Sequence, residues 1–418
     1  MQFRVTSVLS SGVLLTSLTC ANLFSCGSDR CSGSGMKGLQ KVLNDLSRYC
    51  TIWKFKVNSS ETKVTIFSKR KPRNMPKFTF NNDALEIVDD FKYLGVVFKS
   101  NSHFNMCKLN LKEQSTKAMF ALLSKGRTLQ LPVDIMLEMF EKTVLPIMLY
   151  GCEVWGYGKN DMLDAVFLRF CKHLLGVKTS TPNCMVYGEL GCLPVSISIK
   201  RRLVAYWLKL CSADEHRICR KLYNVLFHMH ENNDYHSEWL ICIRDIIQQN
   251  GFGFVWLTQG QGVNITGFKN ELKCRLNLQF IQQWHPQMEE SSKCSLYRNI
   301  KTEFRLESYL FKLSKNKWKF IVKLRCSSHK LPIETGRYAN LSRDSRYCNR
   351  CNMARVGDEY HMFFECTNPD IVTARRRFLP IEFRRNCSVF KFVKLLNQVD
   401  DMKIGSRVAS FIKASKFV

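Results

Sequence analysis

Hydrophobic positions fall at helical spacing along most of this chain and at strand spacing in one short section near its start. Leu39, Val42, Leu43, Leu46 and Cys50 share a face, so residues 37–51 are expected to form an amphipathic helix. Residues 55–57 and 64–67 read as short strands around a turn at Asn58-Ser59-Ser60. Residues 78–80 and 85–88 flank Asn81-Asn82-Asp83, a hairpin signal, because Asn tolerates the left-handed backbone of tight hairpin turns. Residues 91–98 read as a further strand, in which Gly95 marks a bulge or the close approach of another backbone.

Beyond residue 100 the pattern is helical. Val133, Met136, Leu137, Phe140 and Val144 share a face behind Pro132, and Pro146 is expected to bend or end that helix. Leu163, Val166, Phe167, Phe170 and Leu174 form the next stripe, capped by Asn160 or Asp161 and stopped at Gly176. Residues 194–210 and 234–249 also read as helices. These stripes are core packing, with no cofactor box among them. Residues 1 to about 36 read poorly: Ser, Gly and Cys dominate from Ser25 to Gly35, where neither period survives. Lys69 to Arg73 is a basic, solvated connection.

Composition adds a partner to this α+β outline. The chain has 418 residues, 45% hydrophobic and 23% charged, enough for two or three domains with their own cores and unlike a disordered chain. Sixty-three Lys and Arg against thirty-five Asp and Glu leave a net charge of +28, which points to a polyanion, RNA or single-stranded DNA first. Nineteen cysteines, an odd number, include Cys171, Cys211 and Cys242 in apolar helical patterns, a usage that fits a reducing compartment, nucleus or cytoplasm. Arg4 precedes a weakly apolar run from Val5 to Leu18, but five Ser and Thr dilute it, so a secretory signal is disfavoured. No apolar stretch reaches eighteen residues, so no membrane span is expected, and no small-molecule substrate is evident.

Three stretches carry candidate chemistry. Residues 293–330 interleave Lys293, Arg298, Lys301, Arg305, Lys312, Lys315, Lys317, Lys319, Lys323 and Arg325 with Tyr297, Phe304, Tyr309, Phe311, Trp318 and Phe320. Such a run either tracks phosphates and stacks on bases, or buries its aromatics and leaves its lysines in water; spacing alone serves both. Arg375-Arg376-Arg377 adds a basic cluster further on. Between them, Cys348, Cys351, His361 and Cys366 have the spacing C-x2-C-x9-H-x4-C. Three thiols and an imidazole close a tetrahedral shell with no open position for water, the signature of a structural zinc ion. Cys326 and His329 form a competing C-x2-H pair nearby.

The order of several motifs resembles the carboxyl-terminal part of the non-LTR (LINE-type) retrotransposon reverse transcriptase polyproteins. Gly38-Leu39-Gln40, Tyr49-Cys50, Trp53, Phe55-Lys56-Val57-Asn58, Thr62-Lys63-Val64 and Phe91-Lys92-Tyr93-Leu94-Gly95 are similar to the end of the palm. Leu149-Tyr150-Gly151, Glu153-Val154-Trp155-Gly156, Leu174-Leu175-Gly176-Val177 and Tyr187-Gly188-Glu189-Leu190-Gly191 resemble the thumb and connecting helices. His329-Lys330-Leu331-Pro332 and Glu334-Thr335-Gly336-Arg337-Tyr338 resemble the segment leading into the family's Cys/His cluster. The resemblance implies an organisation of an irregular remnant over 1–36, a partial palm over 37–100, a helical thumb and connection over 101–230, a helical basic region over 231–340 and a zinc-knuckle-like tail over 341–418. It implies nucleic-acid contacts at Lys63, Lys92, Tyr93 and Gly95 in the palm, with Lys317, Lys319, Arg375, Arg376 and Arg377 added from the basic clusters.

The family transfers nucleotides with Mg2+ held by carboxylates, including two adjacent aspartates just ahead of the Gly-Leu-Gln helix. At that position this chain has Phe24-Ser25-Cys26-Gly27, and Asp29 stands alone two residues later; neither Cys26 nor Gly27 is a hard oxygen ligand. The expectation is therefore a truncated reverse transcriptase that lacks its Mg2+ ligands, has no catalytic residues of its own and binds nucleic acid. The alternatives are an active enzyme whose catalytic half lies upstream in the true gene product, a carboxyl-terminal nuclease hinted at by Asn368-Pro369-Asp370, and a secreted cysteine-rich protein.

Overall fold

The computed structural model describes residues 2–6, 32–59, 61–67, 76–100 and 104–418. Phe24 to Gly27, Asp29 and the basic run Lys69 to Arg73 lie outside them. The described chain is mostly helical with a few short strands, an α+β class. No described helix is long and apolar enough to cross a membrane. The chain forms two compact units, one of residues 1–113, 150–160 and 199–269, the other of residues 114–149, 161–198 and 270–418.

The first unit holds all seven described strands. These are β1 (Gln2–Thr6), β2 (Lys63–Phe67), β3 (Thr79–Phe80), β4 (Asp83–Ala84), β5 (Glu86–Ile87), β6 (Asp90–Tyr93) and β7 (Val96–Lys99). β2 is central in a three-stranded sheet, antiparallel to β1 with Val5 opposite Val64, and parallel to β5 with Lys63 opposite Glu86. The helix Ser32–Ile52 packs Leu39 and Leu43 against Val64, Ile66, Phe78, Phe80 and Leu85, the face expected from its apolar spacing.

Two expectations for this section change. Residues 1–36 are not irregular throughout: β1 pairs with β2, and the helix begins at Ser32 rather than Lys37. Phe3 and Val5 alternate with Gln2, Arg4 and Thr6, but five residues make a weak strand period, and a helix once nucleated extends into weak helix formers at one bond per residue. Residues 91–98 are a hairpin rather than one strand. Tyr93 pairs with Val96, leaving Leu94 (φ +46°) and Gly95 (φ +85°) as a two-residue turn of left-handed backbone. The close approach expected at Gly95 is made by a ring: a Cβ there would lie 3.0 Å from Tyr150 Cε1, and Tyr150 Oη donates to Leu94 O at 2.5 Å. The Asn81-Asn82 turn forms as read, with Phe80 opposite Asp83.

In the second unit Pro146 lies in the short helix Leu145–Met148, after the helix Val133–Thr143 has ended, as expected. The helix Asp161–Leu175 buries Phe167 and Phe170 against Phe140, with ring centres 5.0 and 4.4 Å away. The same unit encloses a buried ionic network. Arg325 Nε donates to Glu189 Oε1 at 3.0 Å, Arg325 NH2 is 3.4 Å from Glu307 Oε2, and Lys301 Nζ pairs with Glu307 Oε1. Tyr309 Oη donates to Glu189 Oε2 at 2.5 Å, and Arg325 NH1 to Leu396 O at 3.2 Å. The Tyr187-Gly188-Glu189-Leu190-Gly191 motif thereby acquires an architectural meaning. Glu189 anchors the network, a Cβ on Gly188 would meet Tyr297 Oη at 2.6 Å, and one on Gly191 would meet Leu306 N at 2.4 Å.

Candidate metal centre

The cysteine and histidine cluster is assembled from two local structures in the second unit. Tyr347 and Val356 form an antiparallel bridge, with Cys348 N donating to Arg355 O and Gly357 N to Arg346 O, both at 2.8 Å. This narrow loop carries Cys348 and Cys351. Gly357 is needed there, since a Cβ would lie 2.9 Å from Cys348 Cα and 2.8 Å from Pro332 Cγ. Asp358 Oδ1 then accepts from His361 N at 2.9 Å and opens a π-helical turn, His361–Glu365. In an α-helix, residues five apart point ~140° away from each other. The wider turn, closed by Cys366 N donating to His361 O at 2.7 Å, brings His361 and Cys366 to one side.

One ligand atom from each of Cys348, Cys351, His361 and Cys366 lies within 4.8 Å of the others, so the group can hold a metal ion. Cys348 and Cys366 Sγ are 4.0 Å apart, and Cys351 Sγ is 3.3 Å from His361 Nε2. His361 Nδ1 lies 3.2 Å from Glu365 Oε2, an arrangement that orients the ring and leaves Nε2 for a metal. Burial works against ionisation of Cys351, but hydrogen bonds from the backbone at Met353, from His361 and from the backbone at Thr367 hold its thiol down to about 6. Burial pushes the Cys366 thiol up to about 12, and Cys348 and Cys351 reinforce the shift. A cation among these sulfurs reverses that balance and lets neighbouring thiolates coexist.

The frame behind the cluster is tightly held. Arg375 donates from Nε to Phe363 O at 2.6 Å and from NH2 to Cys366 O at 3.0 Å and Met362 O at 3.3 Å, serving the carbonyls that the π turn leaves open. Phe363 packs its ring 4.7 Å from Phe411 and 5.2 Å from Phe392. The competing pair does not assemble. Leu331 N donates to His329 Nδ1 at 3.3 Å and Glu359 Oε1 lies 2.8 Å from Nε2, so both ring nitrogens are engaged, while Cys326 is wholly buried.

The residues expected to touch nucleic acid are divided between the two units, Lys63, Lys92, Tyr93 and Gly95 in the first and the others in the second. Lys63 pairs with Glu86 across the sheet. Lys92 is exposed, Tyr93 is half-buried and Gly95 sits in the hairpin turn. Lys317 Nζ donates to Ser406 Oγ at 3.0 Å, and Lys319 Nζ lies 5.1 Å from the Phe320 ring centre. Arg376 and Arg377 are exposed, whereas Arg375 has the bracing task described. Of the interleaved aromatics, Tyr297, Tyr309 and Trp318 are buried and offer no face to a base. Sequence reading missed Glu365 and Arg375 as supports of the metal turn. The i, i+4 spacing from His361 was a usable signal for Glu365; nothing local marks Arg375. No protein-family model, no curated protein and no solved structure matches this chain.

Proposed function

We propose that the chain is a nucleic-acid-binding member of the non-LTR reverse transcriptase family whose tail folds around one structural zinc ion, and that the chain by itself extends no primer. The observation that carries the reading is the convergence of Cys348, Cys351, His361 and Cys366 within 4.8 Å. Three sulfurs and one imidazole suit zinc and leave no open position for catalysis. The ion then acts as a staple between the Cys348–Cys351 loop and the His361 turn. A nuclear or cytoplasmic setting keeps the ligand thiols reduced. The net charge of +28 supports a polyanionic partner, and Cys26-Gly27, where the family has its aspartates, supports the lack of Mg2+-dependent chemistry in this chain.

Metal analysis of the purified protein is expected to find about one zinc per chain, lost on Cys348→Ser. Binding to single-stranded RNA or DNA is expected to weaken steeply with salt. Primer extension that requires Mg2+ and vanishes with chelator would refute the inactive reading. A metal-stripped chain whose 346–366 amides exchange as slowly as before would refute the staple.

A further inference from the structure

The second unit gathers Lys293 and Lys323 of the 293–330 run with Lys172 and Lys178, more than a hundred residues earlier in the chain. After Gly176 (φ +65°) ends the helix Asp161–Leu175, the loop 177–181 meets the segment 327–338. Lys178 N donates to Ser328 Oγ at 2.9 Å, Lys178 Nζ to His329 O at 2.9 Å, and Ser180 Oγ lies 3.2 Å from Tyr338 Oη. Lys172 Nζ donates to Thr179 O at 2.7 Å and Lys293 Nζ to Ser180 O at 3.2 Å. Each of these ammonium groups is thus placed by one carbonyl and keeps further donors for a ligand. Lys172, Lys178, Lys293 and Lys323 are half-buried and Lys330 is exposed, yet among the described residues no carboxylate lies within ion-pair distance of any of the five. Glu334 is buried and accepts from Arg337 Nε at 2.9 Å, so its charge is already matched.

The electrostatic signs agree. Burial first, then Lys319, Lys330 and Lys178, lowers the pKa of Lys323, and burial with Lys293 lowers that of Lys172. Half-desolvated like charges without counter-charges disfavour their own ionisation, and a bound polyanion relieves that cost. One aromatic face is exposed beside them. Tyr338 is 64% exposed, the Lys178 ammonium lies 5.8 Å from its ring centre, and the Ser180 contact fixes its hydroxyl. Arg337 NH1 donates to Ser292 Oγ at 2.7 Å and secures the helix Pro332–Tyr338 that presents this ring.

We propose that Lys172, Lys178, Lys293, Lys323 and Lys330 form a phosphate-binding subsite for single-stranded nucleic acid, with a base stacked on Tyr338. A positively charged track with an exposed aromatic platform suits unpaired bases, because a duplex hides the base faces that a tyrosine would stack on. The assignment rests on the nucleic-acid reading of the chain and adds to it a location and a preference for single strands.

The test uses the full zinc-loaded chain and fluorescence anisotropy with a labelled twelve-nucleotide oligo-dT and a duplex of the same length. Tyr338→Ala is expected to weaken single-strand binding about tenfold while Tyr338→Phe retains it. Lys323→Gln with Lys330→Gln is expected to flatten the slope of log affinity against log salt by about 1.4, at ~0.7 for each phosphate that is no longer neutralised. The exposed pair Lys394→Gln and Lys413→Gln, on other helices, is expected to leave that slope as in the wild type. Should the lysine pair disturb folding, Lys330→Gln alone, at an exposed position, is expected to remove about half as much slope. Strong wild-type binding that neither Tyr338→Ala nor Lys330→Gln alters would overturn this site and leave the broader reading standing. A wild-type chain that binds no oligonucleotide would overturn both.

Discussion

Replacing Arg325 by Met tests whether the buried ionic network holds the second unit together. Two carboxylates, Glu189 and Glu307, face two cations, Lys301 and Arg325, so the network is neutral. The side chains of Arg325 and Glu189 are 1% and 0% exposed, which leaves water no role in screening them. Met fills similar volume but removes the charge, leaving Glu189 with only the Tyr309 hydroxyl while Glu307 keeps Lys301. Stranding one buried carboxylate costs about 3–5 kcal/mol. Adding Glu189→Gln removes the stranded charge, so the double variant should recover about 1–3 kcal/mol relative to the sum of the singles.

The deficit should also depend on pH in a defined direction. Burial already raises the Glu307 pKa above its ordinary 4.5, Arg325 and Lys301 oppose the shift, and removing Arg325 raises it further. A carboxyl whose folded pKa exceeds its unfolded value binds its proton more tightly when folded. The folded state therefore loses stability as pH rises from the unfolded value through the folded one, and regains it on acidification. The part of the Arg325→Met deficit that Glu307 contributes should accordingly shrink as pH is lowered from neutral towards 4.5. Hydrogen exchange at the slowest amides of the helix Lys315–Arg325, corrected for intrinsic rates, reads this unit separately from the other. A loss below about 1 kcal/mol, or a deficit flat across that pH range, would refute the reasoning.

Other substitutions probe single contacts. Gly188→Ala should cost about 1–3 kcal/mol by the same measurement, because the new methyl must displace Tyr297 or Trp284; an unchanged protein would mean that both rings can yield. Glu365→Ala should weaken zinc binding about tenfold in chelator competition. The low end of the usual effect applies because the Glu365 side chain is 34% exposed. Leu94→Asn should stabilise the β6–β7 hairpin by about 1 kcal/mol, read from local exchange, since Leu is strained at φ +46° and its side chain is 59% exposed.

Legibility followed sequence distance. The four residues that could hold a metal ion lie within nineteen residues, so spacing announced the group, and only the choice between His361 and the nearby His329 needed the fold. The apolar faces of the helices Ser32–Ile52 and Asp161–Leu175 and the Asn81-Asn82 turn were equally readable, because 3.6-residue periodicity and left-handed backbone are local properties. β1 alternates Phe3 and Val5 with polar neighbours over only five residues, a weak local signal, and its pairing with β2 some sixty residues on was not readable at all. The run over 293–330 showed charge and aromatics but not their sorting: Tyr297 and Tyr309 went to the core and Lys301 and Arg325 to buried carboxylates.

By itself, then, the sequence determined the C-x2-C-x9-H-x4-C spacing of a candidate metal site, the helical faces and the strong positive charge. Tertiary structure alone decided which charges would be used and where. Glu189 meets Arg325 across 136 residues, Lys178 meets His329 across 151, and Ser180 meets Tyr338 across 158. A charge's role depends on what surrounds it, since burial and neighbouring carboxylates decide whether it is neutralised inside or left for a ligand. No local pattern records those neighbours, and only the folded chain brings them within reach.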